Sequence, residues 1–344
     1  MRLLLAGRGG FDYNRVRVIL SGLRQVAPDG FEVFDFERRD RATGERLRAL
    51  AEACDVIYVP PFRRLDVPFV RKYGAGRPIL FDPLIGTYIT RVVDFGWWWR
   101  KPLARWRDRR DFLAADHLLF DTEAHRQWAH RVLNIPLERS DVLYIGADTQ
   151  EFTPVVSTSA SAKTCRVGFY GSFAPLQGAE KVIEAAHLLR HRDDIEFEIV
   201  GDVAGNKAVA KTRARFAGAR ITYTDYLPFD KLRRRVETWD ICLGIFGDSE
   251  KANVVIPNKV YHYAALGKPF ISRDTLGMRE HFVHRRNAWL ITPDVRVLAK
   301  AVEELVGDAD SRGRLGRAAG RLISNQLAER AIAEELLRVA RKLT

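Results

Sequence analysis

The chain has 344 residues, 47% of them apolar and 29% charged, a globular balance that is long enough for two domains and excludes disorder. A formal net charge of +12 narrows the partners to anions: nucleic acid, a membrane surface or a phosphorylated small molecule. Cys54, Cys165 and Cys242 lack disulfide or metal-ligand spacing and read as buried free thiols in a reducing compartment, and no apolar run is long enough for a spanning helix.

From the N-terminus, 3–6 predicts a strand that runs into glycines, an apolar start too short for a secretory leader. Val16, Val18, Ile19 and Leu23 recur at helical spacing over 14–25. Strands are expected at 31–36, 56–59 and 78–81, with helices at 45–53 and 67–73 between them. A charged helix over 100–113 precedes a strand at 117–120, after which Asp121 or Thr122 caps a helix over 123–132. A strand at 142–145 closes the first half. The stretch VVSTSASAKT, 155–164, has no periodicity and reads as a linker. The plan then restarts, with strands expected at 165–170, 195–200, 221–224, 241–245, 269–272 and 288–291. Helices are expected at 179–190, 206–214, 229–236, 259–266 and 295–306. This alternation specifies mainly parallel, doubly wound sheets, an α/β chain. The predicted domains are 1–154 and 165–325, and a final helix over 326–344 packs back toward the first.

Chemistry concentrates in the second half. Gly171 and Ser172 follow a strand, and Gly178 leads into a helix. Glycines at such a turn let backbone N–H groups approach an anion. Gly201 ends the next strand. Lys251 and Lys259 lie around the loop after 241–245 and are expected to meet phosphate oxygens as point charges. Pro257 pre-sets the first turn of a helix near Asn258, whose N–H groups would face the same ligand. Glu280 is placed to accept sugar or ribose hydroxyls. Each feature has an ordinary alternative, a turn or a solvated charge. Their convergence on one end of a parallel sheet points to a phosphorylated ligand.

Four segments of this half, GFYGSFAPLQGAEKVIEAAHLL (168–189), IEFEIVGD (195–202), WDICLGIFGDSEKANVVIPNKVYHYAALGKPFISRD (239–274) and GMREHF (277–282), resemble the nucleotide-sugar domain of the group 1, family 4 retaining glycosyltransferases. The first half adds FDPLIGTYITRVVDF (81–95), HLLFDTEAHRQWAH (117–130) and VLYIGADTQEFTP (142–154). The resemblance implies a GT-B fold, two Rossmann-like domains with the acceptor on the first and a nucleotide-diphosphate sugar on the second. It implies no cofactor and no metal: positive side chains and helix N-termini would stabilise the departing diphosphate. One departure stands out. Where many relatives carry two glutamates, this chain has Val254 and His262, and a histidine can donate a hydrogen bond but cannot supply a carboxylate's charge.

On the acceptor side, the resemblance turns the loop 7–13 toward the cleft, with Arg8 as a phosphate contact. Asp94, and after it Asp82, are the carboxylates expected to orient the acceptor or take its proton, with Lys251 as the third catalytic candidate. His125 lies one turn into a helix and is a further cleft candidate. The segment GWWWRKPLARWRDRRDF (96–112) sets tryptophans beside arginines, a pattern suited to an anionic membrane surface and to packing against the first sheet alike. No nucleic-acid motif accompanies it, so nucleic acid is not expected as a partner. The expected activity is glycosyl transfer to a hydroxyl acceptor, lipid-linked or a cell-envelope glycan precursor, in the cytoplasm or at the inner face of the plasma membrane. The alternative is a binding or scaffolding protein that kept the fold and lost catalysis.

Overall fold

A computed structural model describes residues 1–84, 86–154, 164–203 and 205–344. The chain divides into two compact units, Met1–Asp148 with Gln326–Thr344, and Thr149–Asn325.

The first unit is built on six parallel strands: β1 (Leu3–Gly7), β2 (Phe31–Asp35), β3 (Val56–Val59), β4 (Ile79–Phe81), β5 (His117–Phe120) and β6 (Ser140–Val142), in the order β2-β1-β3-β4-β5-β6. Strands β1, β3, β4 and β5 are buried along their whole length, as their unbroken apolar sequences require of a sheet covered on both faces. Helix Asn14–Val26 buries Val16, Ile19 and Leu23, and the distant C-terminal helix Glu329–Arg341 lies against it. The contact is close at Gly22, where any side chain would strike the carbonyl of Glu329 and the methyl of Ala333. Gln25 donates to Glu329 at 2.9 Å, and Lys342 reaches Asp141 at 2.8 Å.

The second unit holds β7 (Cys165–Tyr170), β8 (Ile195–Val200), β9 (Ile221–Thr224), β10 (Ile241–Leu243), β11 (Phe270–Arg273) and β12 (Trp289–Ile291), again all parallel, in the order β12-β11-β10-β7-β8-β9. Chain progression reverses between β7 and β10, and in the first unit between β1 and β3. Open α/β sheets bind ligands beyond the carboxyl ends of their strands at such switch points. In the core, helix Ala179–Leu188 buries Val182, Ile183 and Ala186, and Gly168 leaves room for the fully buried indole of Trp239, whose Nε1 donates to Glu198 at 2.8 Å. The cysteines are free. Cys54 and Cys242 are buried, and burial pushes the half-buried Cys165 thiol up to about 12.

Several elements differ from expectation for identifiable reasons. Helix Arg41–Glu52 starts earlier than 45 because the Asp40 carboxylate accepts from the Thr43 amide at 2.8 Å. Strand β6 lies at Ser140–Val142 rather than 142–145, and the Leu143 carbonyl is taken by the Arg15 guanidinium at 2.6 Å. A π-helical segment, Tyr88–Asp94, was not expected. The stretch 149–154 goes with the second unit, where Phe152 packs edge-on to Phe229. The C-terminal stretch breaks at Ile323–Leu327 into two helices, Ala309–Leu322 and Glu329–Arg341. The predicted linker, 155–164, lies outside the described residues except for Thr164.

Candidate functional site

At the switch point of the second unit, the loop after β7 is shaped by its glycines. The Gly171 amide donates to Val200 at 3.0 Å, and Gly201, at φ 148, comes so close to the Gly171 carbonyl that a side chain could not fit between them. Phe173 takes a left-handed φ of 55, and its amide donates to Gln177 Oε1 at 3.2 Å; Gln177 Nε2 in turn donates to the Ser172 hydroxyl at 3.4 Å. Gly178, at φ 60, would place a Cβ 2.6 Å from the Phe246 backbone. That approach lets Phe246 and Gly247 donate to Gln177 and Leu176 at 3.1 and 3.0 Å. The loops after β7 and β10 are thus clasped together, and helix Ala179–Leu188 begins at the clasp with its unpaired N–H groups at that end.

Basic groups from neighbouring elements close on the β10 loop. Arg273 donates to the Gly247 carbonyl at 2.6 Å, and Lys181 pairs with Asp248 at 2.7 Å. Ser249 caps a single helical turn, Glu250–Val254, longer in helix than the sequence predicts, and Lys251 is buried within it. Gly277 packs against Val254 and Val255, where a Cβ would lie within 3.0 Å of their backbone. Pro257 is the extended N-cap of helix Asn258–Ala265, so Asn258 opens that helix. Glu280 is half-buried and ends the short turn Met278–Glu280, which Thr275 caps at 3.1 Å.

Two expected ligand contacts turn inward. Lys259 does not face a phosphate site: its Nζ lies 3.7 Å from the centre of the Phe169 ring and has no hydrogen-bond partner, and burial holds its pKa well below the usual lysine range. A cation–π contact is worth up to about 2 kcal/mol, less than the several kcal/mol of burying an ammonium, so burial favours the neutral amine. His262 sits in an aromatic setting. Its ring is parallel to Phe152 at 4.4 Å and to Tyr170 at 6.4 Å, Phe229 meets it edge-on at 5.4 Å, and the Tyr170 hydroxyl lies 2.7 Å from Nδ1. Burial pushes the Tyr170 phenol well up, so it keeps its proton.

In the first unit, the switch-point loops 7–13 and 60–66 are tied together. The Arg8 amide donates to Asp66 at 2.8 Å, the Gly9 amide to Asp35 at 2.7 Å, and Arg63 to the Gly9 carbonyl at 3.1 Å; Tyr13 meets Phe62 edge-on. Two amides of this glycine loop are therefore occupied by the protein's own carboxylates, which is a correction to its expected openness toward a phosphate. Asp82 also departs from its expected place on an open face. It is fully buried, pairs with Arg15 and accepts from Tyr58 at 2.9 Å. Burial pushes its carboxyl pKa up against the pull of Arg15. Thr122 caps helix Glu123–Leu133 at 3.0 Å, and Asp121 instead holds His125 Nδ1 at 2.6 Å, with both side chains buried. Asp94 is buried at the end of the π-helical segment.

Arg15, Tyr58, Phe152 and Tyr170 were not singled out by sequence, since an arginine at one helix start or a tyrosine in one strand carries no local signal of its partner. Among the described residues no group of three His, Cys, Asp or Glu is arranged to hold a metal ion.

Residues 164–308 match the family described as Glycosyl transferases group 1. Over 323 residues the chain is 24% identical to an alpha-D-kanosaminyltransferase of Streptomyces kanamyceticus, covering 89% of this chain and 80% of that protein. In structure it is similar to Anabaena Alr3699/HepE in complex with UDP, with a TM-score of 0.74, 14% identity and full coverage of both chains. The same protein in complex with UDP-glucose gives a TM-score of 0.73 at 15% identity over 99% of each chain. Sucrose-phosphate synthase from Thermosynechococcus elongatus gives 0.73 at 14% identity, over 99% of this chain and 98% of that one.

Proposed function

We propose that the chain, which has the GT-B fold and whose residues 164–308 match the group 1 glycosyltransferases, transfers a sugar from a nucleotide-diphosphate donor to a hydroxyl acceptor with retention at the anomeric carbon. The observation that carries this reading is the clasp at the switch point of the second unit, where close backbone approach requires Gly178 and Gly201, the Gln177 side chain fills the space beside Gly171, and a helix begins. In this reading the diphosphate lies against the loop 171–178, with Ser172 and Gly201 at its edges, and is met by N–H groups of the first turn of helix Ala179–Leu188, because the amides of Gly171, Phe173, Gln177 and Gly178 already donate to protein oxygens. The opening turn at Pro257 and Asn258 adds a second helix N-terminus, and Lys251 supplies a cation. As the bond from the anomeric carbon to the diphosphate oxygen lengthens, charge gathers on the leaving phosphate, and preorganised donors stabilise that charge most where water is excluded. With these positive groups in place, the reading calls for no metal.

Glu280 is assigned to the donor's hydroxyls. His262, steadied by Phe152 and by the Tyr170 hydroxyl 2.7 Å from Nδ1, takes the place of a carboxylate. Lys259 supports the β7 end from beneath rather than touching the ligand. Asp94 is the better-placed carboxylate for the acceptor proton, because Asp82 is engaged as the counter-ion of Arg15. The acceptor is proposed to be a lipid-linked or envelope glycan precursor met at the inner membrane face. No helix among the described residues is long and apolar enough to cross a membrane, so such an encounter would take place at the surface.

A panel of nucleotide sugars, read by thermal shift and by donor hydrolysis, tests this reading. One donor should raise the melting temperature and be slowly hydrolysed, and Lys251→Ala should cut turnover by on the order of 10²-fold or more without lowering the melting temperature of the free protein. Glu280→Ala should weaken donor use as well. Wild-type turnover in both variants would overturn the site assignment. Donor binding with no turnover in the wild type would favour the second reading, a binding protein, for which the absence of carboxylates at Val254 and His262 is the supporting observation.

A further inference from the structure

One surface of the first unit is not absorbed by the transfer reading. After the π-helical segment, Gly96 at φ 72 turns the chain outward into the turn Trp98–Arg100 and the helix Lys101–Leu113. That helix has its core stripe in the usual place: Ala104, Asp108, Asp111 and Phe112 are buried. Residues three and four apart share a helix face, and Leu103 and Trp106 continue the line of Trp99 on the side opposite that stripe. The rings are on open display. Trp98 is 75% exposed, Trp99 61% and Trp106 57%, and Leu103 and Phe95 are about half exposed. Packing against the first sheet, the ordinary explanation for tryptophans here, is therefore ruled out for these three.

Charge is sorted across the same segment. Its acids are all buried: Asp108 accepts from the Tyr88 amide at 2.6 Å, Asp111 pairs with Arg64 and with Arg110, and Asp94 is buried just ahead of it. The exposed remainder is cationic. Arg105, Arg107 and Arg109 flank the apolar line, Arg91 and Arg100 lie over the Trp97 ring at 5.0 and 5.2 Å, and Arg110 lies over Trp106 at 4.9 Å.

We propose that 95–110 is a docking surface for an anionic lipid bilayer, with Trp98, Trp99, Leu103 and Trp106 entering the headgroup layer and the arginines meeting lipid phosphates. The sorting of groups selects this occupant. Indole rings settle at the boundary between headgroups and acyl chains, while arginines beside them gain from the negative surface potential. A nucleic acid would need the cations to lead, but here Trp98, Trp99 and Trp106 protrude, Arg110 lies back on Trp106, and Arg91 and Arg100 lie on the Trp97 ring. A second copy of the chain would bring its own arginines against these. The proposal adds a surface to the transferase reading and does not depend on it.

The test is sedimentation of the full chain with vesicles of phosphatidylcholine alone and of phosphatidylcholine mixed with phosphatidylglycerol, without donor or acceptor. The wild type should pellet with the mixed vesicles and stay in solution with the neutral ones. Replacing Trp98, Trp99 and Trp106 together by Ser should weaken the mixed-vesicle affinity by more than about tenfold, and Arg105→Glu with Arg107→Glu and Arg109→Glu should do the same. All six positions are exposed, and circular dichroism with thermal melting verifies that both variants fold. A wild type that stays in solution with mixed vesicles overturns the proposal, as do tryptophan variants that bind like the wild type. Loss of a concentration-dependent dimer in the tryptophan variant, without vesicle binding by the wild type, would reassign the surface to self-association. A shift of a DNA duplex at a salt concentration that abolishes vesicle binding would reassign it to nucleic acid. Because no sugar is present in the assay, a chain that binds vesicles but transfers nothing would count against the transferase reading alone.

Discussion

Lys251 and Lys259 illustrate how little residue type settles by itself. Both are buried lysines near one loop, yet Lys259 is turned onto the Phe169 ring, where burial favours its neutral form. A lysine whose folded pKa is depressed leaves the unfolded chain binding the extra proton. Its burial therefore costs stability below the unfolded pKa, and the cost shrinks as pH rises toward that value. Lys259→Met, which keeps the volume and removes the amine, should be more stable than the wild type near neutral pH. The gap should narrow as pH rises from neutral toward the unfolded lysine value of about 10.4, at up to about 1.4 kcal/mol per pH unit. Urea denaturation of both proteins across that range measures it, and a gap that stays flat would mean that the ammonium remains charged on the ring. Asp82 teaches the same lesson in reverse: a carboxylate at a strand end looks available in sequence, and the structure gives it to Arg15 and Tyr58, which lie far away in the chain.

At the scale of elements, most strands and helices were legible because each follows from local physics. Unbroken apolar runs such as VIYV and ILF become doubly covered parallel strands, and the spacing of Val182, Ile183 and Ala186 becomes a buried helix face. What local pattern could not supply was pairing at a distance. The clasp between the loops after β7 and β10 was visible only as glycines, and the inward turn of Lys259 and the rings around His262 depend on which strand lies beneath which helix. The π-helical segment Tyr88–Asp94 carries no periodicity that separates it from an α-helix. The clasp itself is open to test. Gly178→Ala meets both an unfavourable φ and the Phe246 backbone, so it should push the two loops apart. Donor binding by thermal shift should fall sharply, while unfolding of the ligand-free chain moves by no more than about 1–3 kcal/mol. Unaltered donor affinity would remove the clasp from the binding site.

The molecule as a whole repeats one plan twice, and the second copy is inserted between the main body of the first unit and its last helix. The return of Glu329–Arg341 onto Asn14–Val26 makes the first unit depend on both ends of the chain. Gly22→Ala tests how tight that closure is. The added methyl meets a backbone carbonyl that cannot rotate away, so a loss of about 1–3 kcal/mol or more is expected in denaturant unfolding. A neutral result would mean that the two helices slide apart without cost.

The same closure has a consequence for how the protein is made. On the ribosome, Met1–Asp148 emerges long before Gln326–Thr344, with the whole of Thr149–Asn325 synthesised in between. At about 5–20 residues per second, the helix that packs over Gly22 arrives on the order of ten to thirty seconds late. During that interval the nascent first unit shows water, and any holding chaperone, a face that only the end of translation conceals. A message truncated before 326 would leave that face permanently uncovered, which makes premature termination, rather than any single core substitution, the event most apt to drive this chain into aggregates.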